Sequence, residues 1–293
     1  GPLSLAVGLE YRLESYEIEA GEPASYINGG VTGPNGEILA SGSQVFPGFQ
    51  PSNAIDEDRD SIAAYIDMET DVTDRFTVSA AARAESYSDF GETVTGKLAA
   101  RYQLTEALAL RGAVSNGFRA PSLQQAYFTS TGTPPTPVEV GTFPATSPVA
   151  AALGGEPLEA EESLNLSGGL VFAQGGLTVT VDAYAIDIDD RIVLSENLSG
   201  PDVEALLVNA GITNITSARF FINGVETETR GIDVVASYAL QADDWGDFDF
   251  ALGANFTETE VTDAPTSEVL PGVSLFARRE IARFEVGQPE NKL

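Results

Sequence analysis

The chain has no cysteine and no histidine, and methionine and tryptophan occur once each in 293 residues. Disulfide scaffolds, zinc fingers, thiol nucleophiles and histidine general bases are therefore excluded together. Only 43% of the residues are hydrophobic, and no window approaches the ~18 consecutive apolar residues of a membrane-spanning helix. Basic residues are also scarce: 15 Lys and Arg stand against 44 Asp and Glu, a formal charge of −29. Such a chain repels nucleic acid and anionic membrane surfaces, and it suits a soluble or cell-exterior surface able to recruit divalent cations. No signal peptide is visible in Gly1-Pro2-Leu3-Ser4, and Gly1-Pro2 reads equally as a protease scar or as native sequence.

What is present is a period of two. Leu5, Val7, Leu9, Tyr11 and Leu13 fall on one side of an extended chain, opposite Ala6, Gly8, Glu10, Arg12 and Glu14. The same grammar recurs around Ile62 to Met68, Phe76 to Ala84, Val94 to Tyr102, Leu108 to Val114, Leu164 to Phe172, Leu177 to Ala183, Ile232 to Tyr238 and Phe248 to Phe256. That makes nine strands of roughly ten residues, the length that crosses a bilayer at a tilt. The other face carries Arg75, Arg83, Lys97, Arg101 and Arg111 beside Glu10, Glu85, Asp182, Asp233 and Asp249. Charges this dense need water or partners, so they are expected to line a wet lumen rather than a dry core. A one-sided soluble sheet is the alternative, but nine such strands would need a second layer.

The connections alternate in kind. Short turns fall at Asp71-Val72-Thr73-Asp74, Leu104-Thr105-Glu106, Gln174-Gly175-Gly176 and Ala242-Asp243-Asp244-Trp245-Gly246; long polar segments fall near 20–59, 117–160, 189–225 and 260–280. Only the connection at Ser88-Asp89-Phe90-Gly91 is short on the long-loop side. This asymmetry is that of an outer-membrane barrel, and the fold class expected is all-β, an antiparallel up-and-down transmembrane β-barrel.

Three stretches then carry a specific resemblance. Gly117-Phe118-Arg119-Ala120-Pro121-Ser122-Leu123, the strand opened by Glu162-Ser163-Leu164-Asn165 with the following Asp182-Ala183-Tyr184-Ala185-Ile186-Asp187-Ile188-Asp189-Asp190-Arg191-Ile192, and Thr227-Glu228-Thr229-Arg230-Gly231-Ile232-Asp233 resemble, in order, boxes of the TonB-dependent receptor barrel. The likeness covers the chain from about residue 4 to Leu293. It implies a plug domain and about 22 strands, of which this sequence shows neither the plug nor the final strands, so a barrel fragment of about nine strands is expected. Its open edges would pair with the remaining segments of the same barrel.

The resemblance implies energised import of scarce cargo, with a ferric siderophore as the prior, in the outer membrane of a Gram-negative bacterium. The implied partners are TonB and the inner-membrane energising complex acting through the plug, outer-membrane lipid and lipopolysaccharide, and the small-molecule cargo. In the first box, Gly117 is expected to break the strand, Pro121 to occupy the first turn of a short helix, and Ser122 with Gln125 to make a capping box. Arg111, Arg119, Gln124 and Tyr127 are candidates for contact with cargo or plug, because guanidinium groups suit anionic oxygens.

Weaker constellations are Asp56, Asp58 and Asp60, which imitate the first half of a calcium loop but meet Ser61 where Gly is needed and Asp67 where Glu is needed. A solvated loop end is the expectation there. For Asp187, Asp189 and Asp190, pairing with Arg191 is expected. Asn197-Leu198-Ser199 and Asn214-Ile215-Thr216 fit the glycosylation pattern without weight in a bacterial barrel, and the paired acids Glu161 and Glu162 show no catalytic setting. No enzyme chemistry and no resident cofactor are expected beyond a loop-bound calcium ion. A passive porin and a surface β-rich binding module stand as alternatives, opposed respectively by the three boxes and by the unbroken apolar faces.

Overall fold

The computed structural model describes residues 1–36, 39, 42, 47–132, 140–211, 215–242, 245–267 and 269–293. In chain order it forms β1 (Leu3–Ile18), β2 (Ile55–Thr73), β3 (Phe76–Tyr87), β4 (Gly91–Gln103), β5 (Leu108–Arg119), α1 (Leu123–Tyr127), β6 (Ser130–Gly132), β7 (Val140–Phe143) and α2 (Pro148–Ala152). There follow β8 (Glu161–Gln174), β9 (Leu177–Leu194), β10 (Leu198–Ser199), α3 (Pro201–Asn209), β11 (Ser217–Gln241), β12 (Asp247–Asp263), α4 (Arg278–Glu285) and β13 (Asn291–Lys292). The nine long strands make one antiparallel sheet in the order β1-β2-β3-β4-β5-β8-β9-β11-β12, with β13 continuing it at the far edge. This is the expected up-and-down order. Asp243 and Asp244 of the last short turn, and Asn214 of the second glycosylation pattern, lie outside the described residues.

Register explains why the pattern is legible strand after strand. Leu5, Val7, Leu9 and Tyr11 pair with Met68, Ile66, Ala64 and Ile62, Leu98 pairs with Val114 and Val114 with Leu166, and Ile232 pairs with Phe256. One apolar face therefore runs unbroken across the sheet, with more than twenty large apolar side chains on it exposed, Leu9 to 83%. At about 1.5–3 kcal/mol for each such side chain left in water, wetting this face would cost on the order of 30 kcal/mol or more, beyond the ~5–15 kcal/mol stability of a domain. The face has to meet an apolar medium. No helix among the described residues is long and apolar enough to cross a membrane, so any crossing is made by the strands.

The short-turn rim is tightly built. Gly175 (φ 58°) and Gly176 (φ 83°) both hold positive φ, the mirror-image turn that joins two twisted strands with two residues. Phe76 and Tyr102 meet edge to face at 6.2 Å beside this rim, where a barrel carries its aromatic girdle.

At the opposite rim the strands run past the apolar band, and here the expectation of long polar loops is corrected. β2 already begins at Ile55, β9 continues to Leu194, and β11 starts at Ser217 and is 25 residues long. The segments between them fold on a core of their own, in which Phe220, Val225, Leu153 and Leu207 are fully buried beside Ala150, Val203 and Leu275. β11 organises it: its first residues pair in parallel with β7 and antiparallel with β10, while its second half pairs with β9 and β12 in the wall. Phe220→Ala should cost this unit about 3–5 kcal/mol. Protease added to intact cells should then cleave residues 120–160 and 195–216 faster, while the folded barrel keeps its heat-modifiable mobility on gels.

Candidate functional site

The inward face carries the ionic groups where they were expected. Glu10, Arg83 and Glu85 form a ladder across β1 and β3, Arg83 donating to Glu10 at 3.1 Å and to Glu85 at 2.5 Å. Further along, Arg111 on β5 grips Asp182 on β9 with two bonds of 2.7 and 2.5 Å, reaching over β8, where Gly169 is the residue paired with both. A Cβ on Gly169 would lie 2.1 Å from Asp182 Oδ1, so the missing side chain is the channel through which the pair forms. Arg101 stands directly across from Arg111 and, among the described residues, donates to Gln103 alone.

Gly231 of the third box works in the same way. The ring of Tyr184 lies over it, leaving no room for a Cβ, which would approach the ring to 2.3 Å. Asp233, two residues on, accepts from Asn255 at 2.7 Å. Arg230 points to the other face and pairs with Glu228. The second and third boxes are thus joined by a tyrosine packed on a glycine across adjacent strands, the packing that compensates a glycine in a sheet.

Above the apolar band, Glu161, the residue before Glu162 of the second box, joins Arg119 of the first box to Ile192 of the second. Arg119 Nε donates at 2.8 Å and its Nη2 makes a second bond to the same carboxylate, while the Ile192 N–H donates to Glu161 at 2.7 Å. Glu161 is buried. Burial pushes its carboxyl up, but the Arg119 guanidinium and the Ile192 N–H outweigh this and hold it below the usual carboxylate range. Glu161, read from sequence only as one of a pair of acids, is therefore the first residue of β8 and holds an arginine.

The ledge after β5 forms the expected capping box: Ser122 Oγ accepts from the Gln125 N–H at 3.1 Å, and the Gln125 side chain accepts from the Ser122 N–H at 3.1 Å. Two details differ. β5 continues through Gly117 to Arg119, so Gly117 breaks nothing; its lack of a side chain admits Ser163, whose Oγ would lie 2.9 Å from a Cβ. Pro121 precedes the Ser122 cap and lies outside the first turn of α1. Phe118 packs with Tyr87 and Phe90 at the rim, Ala120 links the strand to the ledge, Gln124 is exposed, and Tyr127 is partly buried.

Arg59 was missed by sequence reasoning and anchors this ledge. It is 5% exposed, takes Glu14 in two bonds of 3.0 and 2.7 Å, lies 3.4 Å from Asp89, donates to the Pro121 carbonyl at 2.6 Å and sits 5.4 Å over the Tyr87 ring. Asp89 of the short turn and Pro121 of the segment leading into α1 thus meet on one guanidinium. Asp56, Asp58 and Asp60, expected in a loop, stand on strand β2 opposite Glu17, Ser15 and Leu13, and no three potential metal ligands converge among the described residues.

Arg191 departs from its expected ion pair. Asp190 takes φ 53° where β9 bulges against β11, and this turns Arg191 away from Asp187, Asp189 and Asp190. Its guanidinium donates to Thr227 at 3.0 Å and lies 4.7 Å over the ring of Phe284 in α4. Burial pushes its pKa down. Arg191, Thr229, Thr259, Phe284 and Arg283 line a cleft of about 530 Å³ between α4 and the inward wall.

Because the folded-state pKa of Glu161 is depressed, its pairing contributes stability above the unfolded carboxylate value of about 4.3 and loses it as pH falls through the folded value. Acidification from pH 7 to about pH 3 should lower the protection factors of residues 120–128, the exchange rates being divided by those of the unfolded chain at the same pH, and Glu161→Gln should show the lowered protection already at pH 7, a loss of about 1–3 kcal/mol. Gly169→Ala should displace Asp182 from Arg111 and lower the urea midpoint of the refolded barrel. An unchanged midpoint would remove the gap at Gly169 from the account.

Comparison with known proteins follows the same lines. The family model described as TonB dependent receptor-like, beta-barrel matches residues 2–279. Among solved structures, the siderophore receptor PirA from Acinetobacter baumannii is 18% identical with a TM-score of 0.57, covering 91% of this chain and 36% of that one. A mutant of the ferric enterobactin receptor PfeA from Pseudomonas aeruginosa, in complex with enterobactin, is 14% identical with a TM-score of 0.54, covering 89% and 33%. The FrpB iron transporter from Neisseria meningitidis is 12% identical with a TM-score of 0.55, covering 92% and 35%. No curated protein matches the sequence. The chain spans about a third of the length of these receptors. By its register, its boxes and the extent of the family match, the chain belongs to the TonB-dependent receptor-like β-barrel family.

Proposed function

We propose that the chain is barrel wall of an outer-membrane importer for an anionic iron chelate, a ferric siderophore, energised through TonB. The observation that carries this is the placement of cations. In a chain of charge −29, Lys97, Arg101 and Arg111 gather on the inward face of β4 and β5, below a ledge that holds Arg119, Gln124 and Tyr127. Arg101 has no carboxylate partner among the described residues, and Arg111 remains about half exposed beside Asp182, so guanidinium donors are left for incoming oxygens. That the neighbours in fold include receptors for siderophores and ferric enterobactin supports the choice of cargo. Gln124 is exposed at the ledge, where cargo or the plug of a complete receptor would rest. Transport itself would be a shift between closed and open populations driven by TonB, with no covalent step.

The test is uptake by a strain deleted for the full-length gene, across ferric siderophores, haem, cobalamin and oligosaccharides, with and without functional TonB. One TonB-dependent ferric siderophore should be lost and restored by the wild-type gene. The Arg101→Gln, Arg111→Gln double variant should bind it at least tenfold more weakly, as expected from losing charged hydrogen bonds of about 1.5–3 kcal/mol. Unchanged energised uptake with altered passive permeability would instead mark a diffusion pore.

A further inference from the structure

The apolar face is not uniform, and one depression in it points to a specific lipid. Near β3, β4 and β5 it holds a groove of about 710 Å³, walled by Met68, Leu98, Val114 and Leu166 and floored by Ala100 and Gly112. Cross-strand pairing extends the floor in one row: Val78 with Ala100, Ala100 with Gly112, Gly112 with Gly168, and Gly168 with Ala183. Five strands at ~4.8 Å spacing make this furrow about 19 Å long, the scale of an extended fatty-acyl chain.

The furrow also has a direction. Val78 lies two residues from the short-turn end of its strand, Ala100 three, Gly112 four, and Gly168 and Ala183 six each. It thus starts beside the short-turn rim and climbs toward the middle of the apolar band. At its low end stand the Phe76–Tyr102 aromatic pair and Arg75, which alternation put on the inward face but which falls in the β2–β3 turn and lines a hollow with Phe76 and Tyr102; it is exposed and makes no ion pair among the described residues. A lone guanidinium at the headgroup level, two aromatic rings at the interface and an apolar furrow rising from them match the parts of one glycerophospholipid in order.

We propose that this face binds a phospholipid of the periplasmic leaflet, its phosphate on Arg75 and one acyl chain in the furrow. The proposal rests on the outer-membrane reading above. Gly168 offers the cleanest test, because a Cβ built there meets no atom within 4 Å, leaving open space for a side chain to fill the furrow.

Full-length receptor, extracted from outer membranes into detergent, would be incubated with phosphatidylglycerol, with diacylglycerol or with inorganic phosphate and examined by native mass spectrometry. The wild type should retain one phosphatidylglycerol, and neither diacylglycerol nor inorganic phosphate should replace it. Arg75→Gln and Gly168→Leu should each reduce occupancy at least tenfold, with Ala100→Leu as the alternative filling variant should Gly168→Leu fail to insert. Equal occupancy in both variants, or loss only in Arg75→Gln, would overturn the furrow site while leaving the receptor intact in its membrane. Failure of the wild type to fractionate with the outer membrane would overturn the receptor reading itself.

Discussion

Everything in this molecule depends on the alternation of side chains along its strands. Each residue of an extended chain faces opposite to the next, so a register slip of one residue would turn Leu9 inward and Glu10 outward and do the same along the whole strand. The sheet cannot tolerate that, because its two faces meet media of opposite kind. The register is accordingly held twice, by backbone pairing and by inward side chains such as Arg111 and Asp182 that fit only when Gly169 lies between them.

The ion pairs have a division of labour that follows from their depth. Exposed pairs such as Arg12 with Glu10 contribute little in water. Arg59 and Glu161 are different: both are buried, both have more than one partner, and both tie a connection to the wall. Arg59 holds the ledge through the Pro121 carbonyl, and Glu161 holds the end of β5 while accepting from the backbone of β9. Removing one partner from such a group strands a buried charge, which is why these positions, rather than the numerous surface acids, decide where the rim segments sit.

The nine strands, their faces and their order were legible in the sequence because the signal is local and repeated. The rim was less legible for physical reasons. Above the apolar band both faces of a strand meet water or other protein, so Asp56 to Asp60 alternate acid with acid and read as loop although they extend β2. The rim core was hidden because α2 and α3 are five and nine residues long, too short for Val149, Leu153, Val203 and Leu207 to establish a helical period. Of the expected site residues, the Ser122–Gln125 cap was readable from spacing. Arg59 was not, since its hydrogen-bond partners lie between 30 and 62 residues away, and the stacking of Arg191 on Phe284 is equally non-local.

β11 belongs to two structures at once, the wall through its second half and the rim core through Phe220 and Val225. Conformational entropy that free loops would surrender on meeting a ligand has here been surrendered during folding. The rim is thus a preorganised block, joined to the wall by one continuous strand whose pairing shifts register between Ile222 and Thr227, so block and wall share a backbone but meet at an irregular joint.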